Sequence, residues 1–363
     1  MTVEQSPGGP PEAEQTPVSS PDEAGAVAEQ KASAGNVVAV EIDKPVRADT
    51  ATDPLRNEQW ALNNVNFEGA WLTTNGSGEK VAVVDTGVQR SHQDLTGQVL
   101  SGHYFLHDPN GNASEGPGGT TDDNSHGTHV AGIIAAVADN NPAPLGIAGA
   151  APGVQILPVK VLDSTGSGWT SDVANGITWA AQNGANVINL SLGGPGFLVA
   201  EQTAIQNARN GGVVVVAAAG NEGQNGNTVS YPGNFPEVIA VGATTSSNAV
   251  AYYSTSCPYV DLAAPGGEPS GNSSISVLST VPGANDDDYG LKAGTSMATP
   301  HVAAAAALVQ KAHPTFTPVQ VCTQLIRTAS DLGPAGKDNG FGYGQIQPDF
   351  AVGQEDPSGP TCA

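Results

Sequence analysis

Between residues 81 and 328, short apolar runs alternate with helical stretches, and this alternation restricts the fold more than any other feature of the chain. Val81–Val84, Val154–Leu162, Val187–Leu192, Val213–Ala218, Val238–Val241, Val260–Ala263 and Ile275–Leu278 read as strands. Val213–Ala218 contains no polar residue, as a strand buried on both faces requires. Helices are predicted over His126–Val137, Ser171–Gln182, Leu198–Arg209, Thr295–Val309 and Pro318–Thr328. Apolar strands separated by helices imply a three-layer α/β fold, a mainly parallel sheet with helices on both faces. Ligands in such sheets bind beyond the carboxyl ends of the strands. Residues that end strands or open the next helix are therefore the candidates for chemistry.

Residues 1–35 are rich in Pro, Glu, Ala, Ser and Gly with almost no large apolar groups, and are predicted to be disordered. Within residues 36–53, Val37–Ile42 reads as one short strand before a turn at Asp53-Pro54. Residues 54–352 form one domain with no polar break, and residues 353–363 are a Gly, Pro and Asp tail. The formal charge is −23, and residues 57–363 alone hold 25 acidic against 8 basic side chains. Such a surface favours solubility and excludes a general binder of nucleic acid, which needs cations for phosphates. No run of 18 apolar residues is present, which excludes a membrane-spanning helix. The three cysteines permit one bridge: Cys322–Cys362 would pin the tail and leave Cys257 as a buried thiol.

Four strand ends carry reactive side chains. Asp85 closes the first strand in Val83-Val84-Asp85-Thr86-Gly87, where a cap or turn role is the plainer alternative. His126 opens a helix in His126-Gly127-Thr128-His129-Val130-Ala131-Gly132, placed to act as a general base. A zinc-hydrolase helix would need a Glu beside the first histidine, and none is there. Ser296 opens the late helix in Gly294-Thr295-Ser296-Met297-Ala298-Thr299-Pro300-His301, with Pro300 expected to break the helical ladder early. Its hydroxyl can be a nucleophile while its own N–H faces developing negative charge. Asn221 ends the most apolar strand in Ala219-Gly220-Asn221-Glu222-Gly223, and its amide can donate to an oxyanion. Nucleophile, base, base-orienting acid and oxyanion donor together meet the needs of acyl transfer.

The three blocks around Asp85, His126 and Ser296, in that order, resemble the signatures of subtilisin-like serine peptidases, and the Gly220-Asn221 block resembles their oxyanion segment. The resemblance covers about residues 54–350. It implies a serine endopeptidase with Ser296 as nucleophile, His126 as base, Asp85 as its orienting acid and Asn221 as oxyanion donor. It implies protein or peptide substrates, a monomer, and no organic cofactor. Gly166-Ser167-Gly168 and Ser191-Leu192-Gly193-Gly194 resemble the two strands that clasp an extended substrate. Walls at Ser191–Gly194 and Ala217–Gly220, with Ser230 near the base, imply a pocket for a large apolar or aromatic side chain before the scissile bond. Trp169 or Thr170 would shape a second apolar pocket, and Pro232 resembles a proline preceded by a cis bond.

Structural calcium is common in this family, and Asp94, Asp139 and Asn141 resemble its ligands. Thr121-Asp122-Asp123 reads as a solvated turn, with a second cation site as the alternative. Residues 37–48 resemble the last strand and exit tail of an inhibitory pro-domain, with cleavage expected between about residues 47 and 56. The resemblance favours secretion; the N-terminus lacks a basic region followed by an apolar core, so a cytoplasmic location is the alternative.

Overall fold

The computed structural model describes residues 2–5, 11–14, 16, 20–32, 37–40, 53–108, 110–140, 145–284, 287–353 and 359–362. Strands β1 (Thr2–Gln5), β2 (Pro11–Glu14) and β3 (Val37–Val40) pair antiparallel in the order β2-β1-β3, with helix α1 (Pro21–Ala32) between β2 and β3 in sequence. The described stretches within residues 1–35 thus hold regular elements where disorder was expected. Average composition hid a local signal. Ser20 accepts the Glu23 N–H at 3.2 Å, Pro21 opens the helix, and Ala, Glu, Gln and Lys follow. Of the strand expected over 37–42, the last two residues lie outside the described residues, as do residues 41–52, which hold most of the expected cleavage region.

Two short helices, α2 (Trp60–Asn64) and α3 (Phe67–Trp71), precede the main sheet. Its strands are β4 (Lys80–Asp85), β5 (His103–His107), β6 (Ala113–Pro117), β7 (Gln155–Lys160), β8 (Val187–Leu190), β9 (Val214–Ala218), β10 (Ile239–Thr244) and β11 (Leu262–Pro265). They run in the order β11-β10-β9-β8-β4-β7-β5-β6, parallel except for the β5–β6 edge pair. The run expected at Ile275–Leu278 joins no main-sheet strand; β12 (Val277–Thr280) pairs antiparallel with β13 (Tyr289–Lys292).

Period-two alternation divides the sheet's side chains between two cores. In β4, Val81 and Val83 enter one core while Ala82 and Val84 enter the other. The first core lies under α4 (His126–Ala135) and α7 (Thr295–Ala312); the second lies under α5 (Thr170–Gln182) and α6 (Val199–Asn210). Helices α8 (Pro318–Arg327) and α9 (Pro348–Ala351) complete the first layer. Helix α7 is buried along most of its length, and Ala303–Ala307 keep it thin enough to sit inside the first core. The result is the three-layer, mainly parallel α/β fold expected. Among the described residues, no helix is long and apolar enough to cross a membrane.

Candidate active site

Asp85 ends β4 wholly buried, and its Oδ1 accepts both the Thr86 N–H at 2.7 Å and a hydrogen bond from His126 Nδ1 at 2.8 Å. The approach of α4 to β4 depends on Gly127, because a Cβ there would collide with the Gly87 carbonyl and crowd the Asp85 side chain. Burial disfavours the charged imidazole of His126, but the Asp85 carboxylate outweighs it and raises the pKa above the ordinary value. His129, three residues on, is a structural group. It is fully buried, its Nε2 donates to the Val277 and Gly290 carbonyls at 3.1 Å, and burial lowers its pKa to about 3.

Asp122 holds this arrangement. It is nearly inaccessible and accepts five hydrogen bonds, from Thr86 Oγ1, Asn124 N, Ser125 N, Thr128 N and Thr128 Oγ1. Thr86 Oγ1 in turn accepts the Gly127 N–H at 2.9 Å. One carboxylate therefore ties the residue after Asp85 to the residue after His126 and satisfies open N–H groups around the start of α4. The solvated turn expected at Thr121–Asp123 is corrected: Asp122 is buried, and half-exposed Asp123 pairs with Lys160 Nζ at 2.7 Å. The signal was available in Asp122-Asp123-Asn124-Ser125, an acidic side chain directly before a helix.

Ser296 is the second residue of α7 and lines the same cleft as His126. The helix runs through Pro300, as the predicted span Thr295–Val309 requires, and the ladder is interrupted there as expected. Proline removes the N–H that would bond the Ser296 carbonyl. Ser191 Oγ replaces it, donating to Ser296 O at 2.9 Å, while Ser296 Oγ donates to Ser191 O at 3.1 Å. Among the described residues no hydrogen bond joins Ser296 Oγ to His126; rotation about one side-chain bond redirects the hydroxyl, and such bonds tighten when substrate binds.

Asn221 follows β9, and its Oδ1 accepts from both Thr295 N and Thr295 Oγ1 at 3.0 Å. The backbone donor fixes which end of the amide is oxygen, leaving the NH2 as donor. A Cβ placed on Gly294 would lie 3.6 Å from Ser296 N and 3.7 Å from Asn221 Nδ2, so these two donors are neighbours at one end of the cleft. The Ser296 N–H belongs to the first helical turn, which has no partners inside the helix.

The cleft holds about 830 Å³. It is lined by Gly166, Ser167 and Gly168 on one side, by Ser191, Leu192, Gly193 and Gly194 on another, and by Gly220 and Ser230. Ala217 is not among these. It is wholly buried in the second core, and its neighbour Ala218 lines the cleft because successive strand residues face opposite ways. Gly193 and Ser230 meet closely: a Cβ on Gly193 would lie 2.5 Å from Ser230 Oγ. Thr170 lines the cleft, whereas Trp169 does not and is 53% exposed. The Tyr231-Pro232 bond is cis.

Asp94 is wholly buried; its Oδ1 accepts from Asn140 Nδ2 at 3.1 Å and its Oδ2 from Ile147 N at 2.9 Å and Tyr289 Oη at 2.8 Å. The Asp139 N–H donates to Asp53 Oδ2 at 2.8 Å, and Asn141 lies outside the described residues. Asp53, which sequence reading missed as a site residue, is buried with no hydrogen-bond partner for Oδ1. Burial raises its pKa, and the charges of Asp94 and Asp139 push the same way. Among the described residues, no group of three or more His, Cys, Asp and Glu has the arrangement of a metal cluster. Cys322 in α8 is joined to Cys362, with Cα atoms 5.9 Å apart, and Cys257 is a buried thiol.

Residues 76–344 match the subtilase family. The chain is 47% identical over 272 residues to subtilisin E of Bacillus subtilis (strain 168), which covers 74% of this chain and 64% of that protein. It therefore spans less than two thirds of that relative's length. An alkaline protease of Alkalihalobacillus alcalophilus is 40% identical over 304 residues, covering 83% of this chain and 71% of the relative. Among solved structures, a protease of Pseudoalteromonas arctica PAMC 21717 superposes with a TM-score of 0.75 at 36% identity, covering 84% of this chain and 99% of that one.

Proposed function

The chain belongs to the subtilase family, and from that premise we propose that it is a serine endopeptidase cleaving proteins through an acyl-enzyme. The observation that carries this reading is the buried Asp85 carboxylate 2.8 Å from His126 Nδ1, on the cleft that Ser296 and Asn221 also line. Ser296 Oγ attacks the peptide carbonyl carbon and its proton passes to His126 Nε2. Asp85 accepts from Nδ1–H, which leaves Nε2 as the basic nitrogen and stabilises the imidazolium that forms. The tetrahedral oxyanion accepts from Asn221 Nδ2 and Ser296 N–H. His126 then protonates the departing amine; water adds to the acyl-enzyme by the same path and frees the acid.

An extended substrate is clasped between Gly166–Gly168 and Ser191–Gly194 by backbone hydrogen bonds. The uncharged walls beside Ser230 take a large apolar or aromatic side chain before the scissile bond. Cleavage of a Phe- or Leu-containing peptide amide, absent in Ser296→Ala, tests the reading; faster hydrolysis of long-chain esters than of amides would contradict it.

A structural calcium beside Asp94 and residues 139–141 remains our proposal. The described residues do not gather three acidic side chains into a metal cluster; what supports the site is the unpartnered Oδ1 of Asp53, whose carboxyl feels the charges of Asp94 and Asp139. An orphaned buried carboxylate oxygen in acidic surroundings suits a hard cation, which would supply charge balance and rigidity there. Chelation should lower the melting temperature and added calcium restore it; a melting temperature indifferent to both would refute this site. Secretion is the location we favour, supported by the Cys322–Cys362 bridge, since the cytosol is reducing.

A further inference from the structure

Glu201 is the third residue of α6, 2% exposed, and it lines the substrate cleft. Its Oε2 is buried with no hydrogen-bond partner. The other acids around this helix and cleft are engaged elsewhere: Asp172 of α5 with His107 at 2.7 Å, Glu237 with the α6 side chain Gln206 at 2.7 Å, and Glu222 with Asn225 at 2.9 Å. Burial alone raises the Glu201 pKa to about 7, with no charge or donor offsetting it. A carboxyl kept in this state costs the fold stability that a leucine would not. An unpartnered acid at the wall of a binding cleft is accounted for by a ligand that pairs with it.

The strand Ser191–Gly194 indicates which part of a substrate reaches it. Gly193 faces Ser230, so Leu192 faces the opposite way, where it packs on the second core together with Leu162. Val173 and the α6 residues Ala204 and Ile205 belong to that core, and Glu201 is one turn before them on the same helical face. A peptide extended along this strand alternates in the same way. Its first residue before the scissile bond enters the Ser230 side, and its second and fourth turn toward Leu192. The second lies beside His126, next to the reacting bond, so the fourth is the one that reaches Glu201. An apolar sleeve of Leu162, Val173 and Leu192 with a carboxylate in its wall matches an alkyl stem with a cationic head.

We propose that Glu201 makes this cleft select lysine or arginine at the fourth residue before the scissile bond. On binding, the carboxyl gives its proton to solvent and pairs with the cation, so the preference strengthens as pH rises through 7. This inference rests on the peptidase reading. The test is kcat/KM for peptides that share Phe at the first position and carry Lys, Arg, Leu or Glu at the fourth, at pH 6 and 8.5. The expected result is a Lys or Arg preference over Leu of about tenfold or more at pH 8.5, the size of a hydrogen bond to a charged group. It shrinks at pH 6 and disappears in Glu201→Gln, and Glu201→Leu favours Leu. Cleavage with Leu preferred, or a basic preference retained in Glu201→Gln, would overturn this proposal alone. Cleavage of none of the peptides would overturn the peptidase reading and the proposal with it.

Discussion

Replacing Asp122 by Asn changes one atom and separates two roles of that carboxylate. Oδ1 keeps its three donors: the Thr86 hydroxyl and the Asn124 and Ser125 N–H groups. Oδ2 becomes an NH2 aimed at the Thr128 N–H at 2.9 Å and the Thr128 hydroxyl at 2.6 Å. The hydroxyl can rotate and accept, although it already accepts from Gln89 N. The buried Thr128 N–H then faces another donor. Losing a hydrogen bond to a charged group costs about 1.5–3 kcal/mol, and stranding a buried N–H costs roughly 1–3 kcal/mol more. The total is about 2.5–6 kcal/mol, a large part of a typical total stability of about 5–15 kcal/mol. Thermal melting should fall by roughly 10 °C. The same network sets Asp85 against His126, so kcat/KM well below the melting temperature should also fall, about tenfold, mainly in kcat. Glu115→Gln, on the exposed strand β6, is the control and should stay within about 0.5 kcal/mol. If Asp122→Asn melted and turned over like the parent, the positioning role of this carboxylate would be refuted.

Other consequences are as direct. Since Asp85 raises the His126 pKa, kcat/KM should fall as pH drops through a value above 6.5, and Asp85→Asn should move that inflection lower. The same ion pair stabilises the fold fully below pH 6.5, and that contribution is lost as pH rises through the raised value; urea midpoints against pH for parent and Asp85→Asn measure it. Ser191→Ala removes the donor that replaces the missing Pro300 N–H and should cost about 1–3 kcal/mol in denaturant unfolding, whereas Ser167→Ala should not. Reducing the Cys322–Cys362 bridge, which spans a separation of 40 residues, should lower stability by at most about 4 kcal/mol, read as a lower urea midpoint that Cys257→Ser leaves unchanged.

What the sequence discloses follows the physics that writes it there. Strands β4, β7, β8 and β9 are buried on both faces, so their apolar runs are visible and their carboxyl ends point to Asp85 and Asn221. Strands β5 and β6 are not visible: His103–His107 is half-buried on a mixed pattern, and Ala113–Pro117 is an exposed edge with polar residues and a glycine. Pro300 announces an interrupted hydrogen-bond ladder because its missing N–H is a local fact. The substitute donor, Ser191, comes from 105 residues away. Ala217 and Ala218 differ only in which face of β9 they occupy, which needs the register rather than the composition. Asp53, Asp122 and Glu201 read as ordinary surface acids until tertiary packing buries them.

Ser296 as nucleophile, activated by His126, is the step on which the peptidase reading stands. Intact-mass analysis after reaction with an alkyl fluorophosphonate tests this most directly. One adduct on Ser296, formed at least about a hundredfold more slowly in His126→Ala and absent in Ser296→Ala, is the predicted result. Labelling at another serine, or equal rates with and without His126, would contradict it.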